Sequence, residues 1–124
     1  MNNAKKIVTS YMEEVWVKQN INSIDDFVAD DLIQHNPNLP NGKEALKSFL
    51  PVLFTQLMPN LEWQIARIIA EESMVVVHSL AKNPAMPLGM AVVDIFRVEY
   101  GKIVEHWDLT HNVPESTASG NPIV

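Results

Sequence analysis

The hydrophobic period changes halfway along the chain, and this constrains the fold more than any other feature. From Ala4 to Gln19, Ile7, Val8, Tyr11, Met12, Val15 and Trp16 lie on a helical stripe. After Leu61 four segments read as strands: LEWQIARIIA, SMVVVHSLAK, GMAVVDIFRVEY and KIVEHWDLTH, all rich in Val, Ile, Phe or Trp. An acidic corner (Glu71, Glu72), a loop with Pro84 and Pro87, and a turn at Tyr100-Gly101 separate them at the spacing of antiparallel hairpins. Helices followed by consecutive strands predict an α+β fold. The expected form is a curved antiparallel sheet wrapped around N-terminal helices. Two helices cannot fill the whole concavity, so a central pocket is expected.

The middle of the chain joins these halves. Ser23 is placed to cap a short helix over IDDFVADD, whose acids suit the first turn. Leu32–His35 reads as a short strand, and Pro37, Pro40 and Asn41-Gly42 make the following stretch a loop. Asn41 with Glu44 has the spacing of a capping box. It would open a third helix with Leu46, Phe49, Leu50, Leu53 and Leu57 on one stripe, and Pro51 predicts a kink near Lys47–Pro51. The whole chain, 1–124, reads as a single domain, with about 112–124 a loosely ordered tail of turn-forming composition.

Composition narrows the function. Nine basic residues against 15 acidic ones give a net charge of −6, which argues against nucleic acid as a partner. Cysteine is absent, so disulfides, thiolate metal sites and a cysteine nucleophile are excluded, and a cytoplasmic location fits. The opening MNNAKKIVTS lacks the pattern of a signal peptide, and no apolar run approaches the length of a membrane span, so no membrane partner is expected.

Strand alternation picks out the residues able to carry chemistry. Val104, His106, Asp108 and Thr110 share one face of the last strand, with Ile103, Glu105, Trp107 and Leu109 on the other. Val92, Asp94, Phe96 and Val98 share a face of the strand before it, and Val76, His78 and Leu80 share a face of the second strand. Apolar faces with one or two ionisable groups resemble the lining of a small-molecule site. Asp108 leads as an acid/base group, because an apolar recess makes a carboxyl usable as a base or an acid near neutrality. His106 is placed to orient a substrate or share a proton with it. A buried Asp94 demands a partner, and His78, Arg67 and Arg97 are the candidates for a structural pairing. His35 enters a Pro-rich loop, where it either closes the loop or, if the loop folds over the pocket, joins the site. Tyr11 can place its hydroxyl in the cavity. His78, His106 and an aspartate have the atom types of an iron site, but the ligand spacing matches no metal motif, and neither metal nor cofactor is expected. Nucleophile-elbow and nucleotide-binding glycine patterns are absent.

LIQHNPNLPNGKEALKSF and AVVDIFRVEYGKIVEHWDLTHNVPE, at their separation, resemble the SnoaL-like branch of the nuclear transport factor 2-like superfamily, over almost the whole chain. That resemblance implies a cone: a mostly antiparallel curved sheet around helices, with a deep pocket. It implies polyketide cyclase-like chemistry, an intramolecular aldol condensation without cofactor or metal, or a related isomerisation. The general acid/base of such cyclases matches Asp108. Their second acid/base is a histidine on the preceding strand, where this chain holds Asp94. His35-Asn36-Pro37 and Glu105-His106-Trp107-Asp108 match the subgroup assigned to aldol condensation. The implied site is catalytic Asp108, His106, Asp94 and His35, with His78, Asn36, Tyr11 and Phe96 binding a hydrophobic small-molecule substrate. The alternative is a non-catalytic ligand-binding or dimerisation module. A homodimer is implied through the outer sheet face, with Ile103, Trp107 and Leu109 supplying apolar surface.

Overall fold

A computed structural model describes residues 2–124. Asn2 opens the first helix by accepting the Lys5 N–H at 3.1 Å, satisfying one of the orphan donors of a helix start. Helix α1 (Asn3–Tyr11) then widens into a π turn over Met12–Val17. Its stripe of Val8, Tyr11, Met12 and Val15 is buried, as the periodicity predicts. A single turn, α2 (Ile24–Phe27), follows.

Here the structure departs from expectation. VADD is not helical, Ser23 makes no side-chain cap, and Val28–Gln34 forms strand β1. Val28 and Leu32, four residues apart, satisfy a helical period and a strand period equally well. Both are fully buried, and β1 lies parallel to the last strand, so tertiary pairing overrides the local signal. The capping box also fails to form. Asn41 Oδ1 accepts the Gln34 N–H at 2.9 Å instead, and Gly42, at φ 102°, takes the N-cap position of α3 (Lys43–Val52). Pro51 lies in the last turn of α3, which is continuous helix over the Lys47–Pro51 stretch where a kink was expected; a π turn over Leu53–Leu57 follows it.

The remaining strands are β2 (Glu62–Glu71), β3 (Met74–Asn83), β4 (Met86–Glu99) and β5 (Lys102–Asn112). β2 to β5 pair as consecutive antiparallel neighbours, and β1 closes the edge in the order β1-β5-β4-β3-β2. The fold is α+β with a curved sheet, as expected. The register shifts between Ile65 and Arg67, Ala81 and Asn83, and Arg97 and Val98, as it does at β-bulges. The last of these corrects the reading of β5. Ile103 pairs with Val98 while Glu105 pairs with Arg97, so Val104 is an extra residue and the facing reverses there. Ile103 is therefore core, 1% exposed, and supplies nothing to the outer face.

The helices cover the inner face of the sheet, against Val75, Val77, Ala81, Val92, Phe96, Val98 and Ile103. Beyond Asn112 the chain forms no helix or strand, although the Val113 N–H donates to Gly89 O at 3.0 Å. No helix among the described residues is long and apolar enough to cross a membrane.

Candidate active site

Between helices and sheet lies a cavity of about 460 Å³. Leu46, Phe49, Leu53, Met58, Leu61, Met90 and Val92 are among its apolar walls. Trp16 and Trp63, packed against the hydrophobic core, also line it; their rings lie 4.8 Å apart between centroids. The polar lining comes mainly from three strands and the loop after β1.

Alternation along β4 and β5 turns Asp94 and Phe96, and His106, Asp108 and Thr110, into this cavity. Asp94 and Asp108 stand directly opposite each other in the β4–β5 register. His106 Nε2 lies 2.8 Å from Asp94 Oδ1, and its ring stacks on Phe96 with centroids 4.9 Å apart. Asp94 is 6% exposed, and burial pushes its carboxyl above the ordinary aspartate range. The hydrogen bond to His106 opposes that shift, and the charge of Asp108 adds to it. The partner of Asp94 is thus His106, not the His78, Arg67 or Arg97 considered from sequence.

From the loop between His35 and Gly42, Asn36, Pro37, Asn38 and Leu39 line the cavity. Asn36 Nδ2 donates to both oxygens of Asp108, at 3.0 and 2.9 Å. Its own Oδ1 accepts the Asn38 N–H at 2.8 Å, which holds the amide in that orientation. On the helical side, the Tyr11 hydroxyl accepts the Trp16 Nε1–H at 3.1 Å. The two residues are five apart, the spacing that a π turn brings into line. Burial raises the Tyr11 hydroxyl, so it stays protonated, and because it accepts from Trp16 its own proton remains available as a donor.

Two expected members lie elsewhere. His35 points outward, between Gln34 and Asn36, which both point in. It bonds Glu105 Oε2 at 2.7 Å and stacks on Trp107 with centroids 4.7 Å apart. Glu105 is held below the usual carboxylate range by that histidine and by Arg97. His78 is on the outer face of β3, against Arg67 Nη1, while Val77 and Ser79 on either side of it point inward. Both faces of β3 are apolar, so periodicity had no means of choosing the inner one. His111 is exposed.

Gln34 was missed. Its Oε1 lies 2.7 Å from His106 Nδ1, and it lines the cavity. Alternation within the predicted Leu32–His35 strand, which puts Gln34 on the face of Leu32 and opposite to His35, would have found it. Asp94, His106 and Asp108 also present ligand-type atoms within 4.8 Å of one another, a set that a divalent cation can use.

The family model for the SnoaL-like domain matches residues 8–106. A search of curated proteins finds no match. Among solved structures, a protein assigned as a polyketide cyclase from Acidithiobacillus ferrooxidans is 22% identical, covering 89% of each chain with a TM-score of 0.72. A protein assigned as a ketosteroid isomerase from Kribbella flavida is 12% identical, covering 93% of this chain and 82% of that one, with a TM-score of 0.78. An LEH-like epoxide hydrolase from M. tuberculosis is 19% identical, covering 88% and 83%, with a TM-score of 0.70. At these identities the likeness is one of fold, shared by proteins assigned to different reactions.

Proposed function

The chain belongs to the SnoaL-like domain family, and from its cavity we propose an enzyme of cofactor-independent acid/base chemistry on an uncharged, hydrophobic carbonyl compound. The observation that carries this reading is the meeting of Asp94, His106 and Asp108 in a largely apolar cavity. Two carboxyl groups in contrasting surroundings are the usual arrangement for dividing base from acid. Asp108, held by Asn36, is the base that removes a proton α to the substrate carbonyl. The C–H electron pair becomes an enolate. Its oxygen is stabilised by the Tyr11 hydroxyl and by the proton held at Asp94 and His106. The enolate then attacks a second carbonyl, an aldol ring closure, or regains a proton at another carbon, an isomerisation.

The lining also bears on substrate charge. Among the described residues no Lys or Arg lines the cavity, so an anionic ligand would meet carboxyl groups without a counter-charge. His35 has no part in this mechanism, and neither does His78. The same reading includes a homodimer through the outer sheet face, where Val76, Leu80, Val93, Ile95, Trp107 and Leu109 form an apolar surface, and a cytoplasmic location, which the absence of cysteine favours.

The first step can be tested without the natural substrate. Exchange of the α-protons of 2-tetralone in D₂O, followed by NMR, reads proton abstraction directly. Wild-type protein should accelerate it, and Asp108→Asn should reduce the acceleration by about 10²–10⁴-fold while keeping the fold. Undiminished exchange in Asp108→Asn would remove Asp108 as the base. Ligand binding with no exchange in wild type would favour a binding module instead.

A further inference from the structure

We infer that Gln34 is a positioning residue: it dictates which nitrogen of His106 carries hydrogen, and thereby keeps one proton shared between His106 and Asp94. This rests on the reading of the cavity as an acid/base site, and adds the residue that sets the proton's place within it.

The argument begins at a backbone amide, which can only donate. The Asn36 N–H lies 3.2 Å from Gln34 Oε1, so that end of the Gln34 side chain is its oxygen. The same oxygen is 2.7 Å from His106 Nδ1. Two acceptors cannot face each other at that distance, so Nδ1 carries a hydrogen and donates it to Gln34. Gln34 is itself fixed. Its backbone N–H donates to Asn41 Oδ1 at 2.9 Å, and it is paired with His106 in the β1–β5 register.

The other ring nitrogen is then determined. In the uncharged ring Nε2 offers a lone pair to Asp94 Oδ1, 2.8 Å away. The hydrogen in that bond must come from the carboxyl group. If it moves from Oδ1 to Nε2, an imidazolium–carboxylate pair forms, with no change in net charge. Either way a single mobile proton sits between the two side chains, facing the cavity. Without the Gln34 acceptor, the ring is free to adopt the opposite tautomer. Once one proton has left to solvent, Nε2–H would donate to an ionised Asp94, and the hydrogen between them would belong to a neutral imidazole, a far poorer donor to a developing oxyanion than a carboxyl or imidazolium proton.

The tautomer is directly observable by long-range ¹H–¹⁵N correlation spectra of ¹⁵N-histidine-labelled protein, with His106 assigned by comparison with His106→Gln. Wild type should show hydrogen on Nδ1, with Nε2 shifted by a shared proton. Gln34→Leu should move the hydrogen to Nε2 and leave Nδ1 bare. Gln34→Glu, which preserves an acceptor oxygen, should retain the wild-type pattern. A His106 ring with bare Nδ1 in wild type, or an unaltered Nδ1–H in Gln34→Leu, overturns the inference. If Gln34→Leu does not fold, wild type and Gln34→Glu still decide, because a bare Nδ1 in either one contradicts it and Nδ1–H in both sustains it. No substrate enters this measurement, so its outcome is separable from loss of exchange in Asp108→Asn.

Discussion

Asp94 and Asp108 are opposed across two paired strands, yet they have different neighbours: one shares a bond with an imidazole under full burial, the other accepts two bonds from an amide. The difference has a thermodynamic consequence. Asp94 keeps its proton to higher pH in the folded chain than in the unfolded one. Folded protein therefore binds more protons over that interval, and its contribution to stability falls as pH rises from the ordinary aspartate range through the raised value. Asp94→Asn removes this titration, so in melts between about pH 4 and 8 its melting temperature should gain on wild type as pH rises. A constant difference across the range would show that Asp94 is not held protonated. Tyr11→Phe keeps the ring packed on Phe27 and Phe96 but deletes the donor, and should slow exchange by about 10²-fold with little loss of stability. At this scale much was legible in the sequence. Asp94, His106 and Asp108 emerged from alternation because ionisable groups are rare on apolar strand faces. Alternation shows which residues share a side, not which side is covered. His78 was misjudged for that reason, and the outward turn of His35 hid Gln34 beside it.

Elements were legible where their period was unambiguous. The first helix could be read from its one dominant spacing, and the four later strands from their Val, Ile, Phe and Trp content between turn signals. The VADD segment could not, since Val28 and Leu32 fit both periods, and only the partner strand β5 decides between them. Bulges escape sequence reading altogether: Val104 looks like any strand residue, and its extra place is known only from the unequal lengths of chain between paired positions. Gly89 marks another constrained point. Its φ is +81°, and an added Cβ would lie 2.5 Å from Ala81 O and 2.9 Å from Lys82 Cβ. Backbone atoms cannot retreat as a side chain tip can, so Gly89→Ala should cost about 2–4 kcal/mol in chemical denaturation. A loss below about 0.5 kcal/mol would mean that the β3–β4 hairpin shifts freely there.

For the whole molecule, the sheet has two apolar faces and the helices cover only one. Ile95 lies at the centre of the other, on the middle strand, with Val93 beside it and Trp107 across from it in the register. If two copies associate there, Ile95→Lys should yield a monomer in sedimentation velocity while preserving exchange activity, because the side chain points away from the cavity. A wild-type monomer, or a dimer unchanged by Ile95→Lys, would locate any association elsewhere. The α+β fold with its curved sheet follows from the order of helices and strands, but the identity of a compound that fits the cavity does not. Walls made of Leu, Met, Phe and Trp discriminate by volume and shape, which no single residue encodes.

The two indoles in the cavity wall have a practical consequence. Trp16 is bonded to Tyr11 and tilted against Trp63, while the third tryptophan, Trp107, lies on the opposite face of the sheet beneath His35. Any compound entering the cavity must disturb the emission of the first pair and leave the third as a constant background. A Trp107→Phe variant would silence that background, giving a label-free optical reporter of occupancy with which to screen compound libraries for ligands of the cavity.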